Sequence, residues 1–237
     1  MKKLLLGMAL TVLLALAGGG WWLYHSLDRV VAAALRSYGP AITGVSMTLD
    51  SVHIDASAGS AEIRGLVLGN PAGFQTPQAV TLDLVRVKLD VASLTSDVIR
   101  VQDVLLEAPV VTYEYASGTN NLEQIQRNVS AYLASHGSKE SAGKKLIIDQ
   151  LTIRGGKAEI SAAALQGKRM AVPLADVHLR DIGKKQGGAS PALVAEQVVG
   201  ALSYGATRAA AGISGAVDSL KNGAAAAGNA IKNLFSK

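Results

Sequence analysis

The apolar positions along this chain change period several times, and each change predicts a different kind of element. Leu4 to Tyr24 is a 21-residue run without a charge. From Leu27 the spacing becomes helical: Leu27, Val30, Val31, Ala34 and Leu35 lie opposite Asp28, Arg29 and Arg36. This predicts a helix over Ser26 to Ser37, ended by Gly39-Pro40. From Gly44 the period is two. Val45, Met47 and Leu49 alternate with Ser46, Thr48 and Asp50, and Val52 and Ile54 follow, as in strands with one wet face. After the turn Ala58-Gly59-Ser60 the strand pattern resumes through Ala61 to Gly69, then turns again at Asn70-Pro71-Ala72-Gly73-Phe74. Val80, Leu82 and Leu84 alternate in one phase and Val85, Val87, Leu89 and Val91 in the other, which predicts a bulge or bend. Pro109, inside the dense run Leu105 to Tyr115, predicts an edge strand, a strand start or a bulge.

Helical spacing returns at Leu122, Ile125, Val129, Tyr132 and Leu133, capped by Asn120 or Asn121, with Glu123 in the first turn. A polar loop is expected from His136 to Lys145. Leu146, Ile148, Leu151 and Ile153, then Gly155-Gly156 and Ala158-Glu159-Ile160, read as a hairpin. Met170, Val172 and Leu174, then Val177, Leu179 and Ile182, give a last strand or strand pair, and Gly183 to Pro191 a flexible linker. Pro191 to Lys237 is rich in Ala and Gly. Ile213, Val217, Leu220, Ala224, Ala227, Ile231 and Leu234 form a narrow helical seam there.

The opening run settles the expected location. It is long enough to cross a bilayer as a helix. Lys2 and Lys3 precede it and Trp21, Trp22 and Tyr24 sit at its far end, the arrangement of an anchor with a cytoplasmic N-terminus and aromatic interface residues. Ala15-Leu16-Ala17 also fits a signal-peptide cleavage site. The apolar character continues past it, which favours an uncleaved single-pass anchor. The expected organisation is an anchor (1–25), a juxtamembrane helix and linker (26–40), a β-rich domain (41–183), and a linker with an amphipathic helical tail (184–237). The fold class is α+β.

Composition narrows the chemistry. The chain has 237 residues, a formal charge of +5 and no cysteine, so disulfide frameworks and thiolate metal sites are excluded. No Lys/Arg run exceeds two residues, and aromatics are 4%, which argues against nucleic acid as a partner. Asp176 and His178 share a strand face with Arg180; they lack a third ligand, and a solvated polar face accounts for them. Ser141-Ala142-Gly143-Lys144 fits an S-x-x-K pattern but has none of its partner motifs. Glu107, Glu114, Asp149 and Glu159 form no acid/base pair along the sequence, so the chain does not read as an enzyme, and no cofactor is expected.

Several stretches occur in a recognisable order: Gly65-Leu66-Val67-Leu68-Gly69-Asn70-Pro71-Ala72-Gly73-Phe74, Val85 to Asp90 closing on Ser93-Leu94, Ile99 to Val104, Pro109-Val110-Val111, Asn120-Asn121-Leu122, and Leu151 to Ile160. With the N-terminal run, this order resembles the AsmA-like family of bacterial envelope proteins. The resemblance implies an inner-membrane anchor, a periplasmic domain and a mainly antiparallel curved sheet with one covering helix, its groove holding acyl chains. It implies binding or transfer of phospholipid in envelope homeostasis. The chain is shorter than the long members and is not expected to span the periplasm alone. Val45, Met47, Leu49, Val80, Leu82, Leu84, Ile148, Leu151 and Ile153 would face the acyl chains. Two alternatives stay open: the same residues form a dry core, or the domain is a non-catalytic structural module whose C-terminal helix docks an envelope protein.

Overall fold

The computed structural model describes residues 27–116, 118–140, 144–161 and 169–212. Lys2, Lys3, Trp21, Trp22, Tyr24 and the seam from Ile213 to Leu234 lie outside them. Among the described residues no helix is long and apolar enough to cross a membrane. The fold is α+β, with three helices on a mixed, mostly antiparallel sheet. The first helix, α1, covers residues 27–43. Strands β1 (Met47–Thr48), β2 (Ser51–Asp55), β3 (Ser60–Gly69), β4 (Gln78–Leu89), β5 (Val98–Glu107), β6 (Val110–Ala116) and β7 (Thr119–Asn120) follow it. Then come α2 (Asn121–Glu140), β8 (Lys145–Arg154), β9 (Lys157–Ser161), β10 (Arg169–Pro173) and β11 (Val177–Ile182), and finally α3 over 191–212.

Most of these strands are pieces of longer ones. β5 pairs with β8 in parallel, and β6 pairs with β9 at the same offset, so β5–β6 and β8–β9 are two interrupted long strands side by side. β1–β2 lies along β3, and β10–β11 along β9–β8, in the same way. The interruptions are in register. Asp50, Gly65, Asp83, Ala108, Gly155 and Ala175 fall on one line across the sheet. Gly65, Ala108 and Gly155 have φ of 61°, 48° and 63°. A single left-handed residue bends a strand and turns its side chains over. The apolar phase accordingly shifts by one residue at this crease in every long strand: Leu49 to Val52, Ile63 to Leu66, Leu82 to Val85, Leu106 to Pro109, Ile153 to Gly156 and Leu174 to Val177. The phase change in β4 is therefore a bend. Because the neighbours bend with it, β4 shows no register slip between Leu84 and Val85.

Two expectations are corrected here, and a third, for Pro109, is narrowed to one of its alternatives. Gly155-Gly156 is no hairpin turn: β8 and β9 continue one another, since β6 runs on beside them and Gly156 packs against Pro109 where a Cβ would be crowded. Pro109 sits on the crease, the bulge reading, near the middle of the sheet. Gly183 to Pro191 is no loose linker. It forms a 3-10 turn at Lys184–Gln186, and Ala189 bridges to Leu146 in both directions at 2.8 Å.

The helices also differ from their expected limits. α1 continues through Gly39-Pro40, because Gly39 lacks the Cβ that a following proline would crowd. It ends at Gly44, φ 69°, whose N–H donates to the Pro40 carbonyl at 2.9 Å. The 40/41 boundary thus falls inside a helix. α1 guards the edge of the sheet: Asp28 accepts from the Ile54 N–H and Arg36 donates to the Leu49 carbonyl. α2 extends to Glu140 and is the crossover that the parallel β5–β6 and β8–β9 require. Asn120 is its cap, accepting from the Glu123 N–H at 2.8 Å. The first part of the expected tail, α3, belongs to the domain's core through Leu202 and Ala206. Helix cover therefore comes from three helices, where one was expected.

Candidate ligand cavity

A cavity of about 260 Å³ lies between the helices and the half of the sheet on the β1 side of the crease. Its floor is Met47 from β1, Leu66 and Leu68 from β3, and Val80 and Leu82 from β4. Leu122 and Ile125 of α2 close one side. Val194, Ala195, Val198, Val199 and Leu202 of α3 close the other, one stripe at helical spacing. A second groove of about 610 Å³ runs between α1, the end of α2 and the start of α3. It shares Thr43, Met47, Pro191 and Ala195 with the cavity. Its rim carries Tyr38, His136 and Lys144. The His136 ring stacks on Tyr132 at 4.3 Å, and the Lys144 ammonium donates to the Leu94 and Ser96 carbonyls at 3.0 and 2.8 Å.

Of the nine residues expected to face acyl chains, Met47, Val80 and Leu82 line this space. Val45, Ile148, Leu151 and Ile153 are buried in the main core and line neither opening. Leu49 packs under α1 with Ala32 and Val52. Leu84 pairs laterally with Arg64 and Glu107 and belongs to none of the core clusters. The crease explains Leu84, which lies past Asp83 while Val80 and Leu82 precede it. Leu66 and Leu68 had the alternation that would have added them to the nine. The α3 stripe was hidden in an Ala/Gly-rich composition.

The other face of the sheet is charged. Glu107 lies between Arg86 and Arg154, and Glu62 between Arg64 and Arg86. The Arg154 hydrogen bond, then the charges of Arg86 and Arg154, hold the Glu107 carboxyl below the usual range. Arg64 does most of the same for Glu62. These groups are open to solvent and make a wet face.

Asn70 and Asn121 meet in a polar clasp beside the cavity. Asn121, with 0% exposure, donates from Nδ2 to Asn70 Oδ1 and to the Thr112 carbonyl, each at 2.8 Å, and accepts from the Glu114 N–H at 2.9 Å. Asn70 in turn holds the Thr76 carbonyl. The buried Glu114 carboxylate accepts from the backbone of Gln75 and Thr76 and from the Thr76 hydroxyl. The clasp ties the Asn70–Phe74 turn to the start of α2, which lines the cavity. Asp176 accepts from the Gly155 N–H, and His178 contacts the Thr152 hydroxyl at 3.4 Å. Among the described residues no group of three His, Cys, Asp or Glu is placed to hold a metal. No protein-family model matches the chain, and no curated protein matches it.

Proposed function

We propose that this chain is an AsmA-like, membrane-anchored periplasmic protein that binds phospholipid, or helps to transfer it, in the cell envelope. The observation that carries this reading is the apolar cavity at Met47, Val80 and Leu82, which shares Met47 as a wall with a groove beside α1. An open space walled by hydrocarbon next to a packed core is the form of a hydrophobic ligand site, and its volume is close to the lower limit of about 300 Å³ for such pockets. α1 directly follows the apolar run Leu4–Tyr24, so an anchored chain holds the groove near the bilayer surface.

The test is native mass spectrometry on the full chain released from phospholipid nanodiscs. Stoichiometric phospholipid that survives delipidation is expected, with most of it lost in Val198→Trp, which fills the cavity from α3. A folded, lipid-free protein would overturn the reading. The burial of Ile148, Leu151 and Ile153 at 2–4% exposure favours a second reading, a non-catalytic interaction module whose sheet face is dry. Removing 213–237, which spares the helix built into the core, would then abolish partner capture and leave lipid occupancy unchanged.

A further inference from the structure

The two edges of the sheet are finished differently. At the β1–β2 edge, α1 takes up outward backbone groups: Asp28 accepts from the Ile54 N–H and Arg36 donates to the Leu49 carbonyl. At the other edge β11 pairs with β8 alone, and among the described residues no strand or helix pairs with its outer side. The register shows which groups that side presents. The Lys145 N–H donates to Asp97 on the β5 side and the Leu146 N–H to Ala189 on the other, so the even-numbered residues of β8 bond towards β11. Their partners are His178, opposite Thr152, and Arg180, opposite Gln150. The N–H and C=O groups of Val177 and Leu179 therefore point out of the sheet. The regular edge is short: Asp176 adjoins the crease, and Asp181 has φ 55°.

This stretch is complementary to itself. Laid antiparallel about His178, Asp176 faces Arg180 and Val177 faces Leu179, so opposite charges meet and apolar residues meet. Asp176, His178 and Arg180 are exposed, whereas Val177 and Leu179 are half-buried against the main core. The outward groups fit the same register, since Val177 of one copy and Leu179 of the other can exchange both backbone bonds. Asp176 gives one carboxylate oxygen to the Gly155 N–H at 3.0 Å and keeps the other. Asp181 is held by Lys184 at 2.7 Å, and among the described residues Arg180 forms no salt bridge. We propose that β11 pairs with β11 of a second copy of this chain, antiparallel, with the two-fold axis at His178. The sheet then runs on through both copies, and Val177 and Leu179 carry its apolar face across the junction. A slip by one residue would set charged residues against apolar ones, so the Asp176–Arg180 pairs fix the register. So short a contact is weak, and covalent trapping is the way to read it.

The chain has no cysteine, so single introduced cysteines report the register. The full chain in detergent is oxidised with copper phenanthroline, and its dimers are mapped by mass spectrometry. Side chains facing each other across the axis belong to residues with Cα atoms about 4.5 Å apart, within disulfide reach. His178→Cys is expected to cross-link to itself. The two copies of Arg180 lie about 13 Å apart along the strands, so Arg180→Cys should cross-link only when mixed with Asp176→Cys. His53→Cys, at a side chain 77% exposed on the edge that α1 closes, controls for collision and should stay monomeric. Arg180→Asp should lower His178→Cys cross-linking about tenfold, the worth of two exposed ion pairs, and adding Asp176→Arg should restore it. Equal cross-linking of every variant would mean random collision and overturn the pairing. A monomeric His178→Cys chain with the parent's circular dichroism would also overturn it. Should that chain cross-link only after 213–237 is removed, the edge belongs to the chain's own C-terminal segment and not to a second copy.

Discussion

Asn121 has no exposed surface, and its amide reaches three residues on two segments of the chain: Asn70, and Thr112 and Glu114 of β6. Replacing it with alanine leaves a buried backbone donor and two acceptors without their partner. A cost of about 2–4 kcal/mol is expected, since each orphaned buried group costs about 1–3 kcal/mol. Denaturant unfolding of Asn121→Ala measures it; a change under about 0.5 kcal/mol, the ordinary surface value, would mean the clasp is replaceable by water. At this scale the sequence is half readable. That one of the two asparagines caps α2 follows from local spacing. That the other closes a clasp does not, because its partner Asn70 is 51 residues away.

The crease belongs to the strands as a set. The phase change within β4 is visible in its own residues, but the alignment of six such changes needs the pairing registers. Gly155-Gly156 shows the same limit: the dipeptide is a sound turn signal, and only the neighbouring β6 makes it a bend. On the wet face, Glu62 and Glu107 tie adjacent strands through Arg86 and Arg154, and Arg64 backs Glu62 from within β3. Both carboxyls are depressed in the folded state. Their contribution is therefore complete above the unfolded glutamate value of about 4.3 and is lost as pH falls through the lower folded values. Glu107→Gln should be less stable than the parent at neutral pH, and the difference should shrink as pH drops below about 4. Unfolding midpoints at both pH values test this, and a pH-independent gap would show that packing causes the loss.

For the whole molecule, the reading of an anchored domain makes a simple demand. The full chain should stay with the membrane pellet through an alkaline carbonate wash, and a chain starting at Leu27 should not. An intact mass beginning after Ala17 would instead establish cleavage. The order of helices and strands was largely legible, whereas the cavity was not, because its walls come from β1, β3, β4, α2 and α3 together. The parallel crossover carries a consequence in time. As the chain emerges N-terminus first, β1 to β6 can pair with neighbours already made. The far edge of β5–β6 has to wait for the 45 residues from 117 to 161, which deliver β8–β9. At roughly 5–20 residues per second that interval is about 2–9 s. For those seconds the nascent protein shows an unpaired apolar edge, and a holdase-type chaperone would have its greatest effect on yield then.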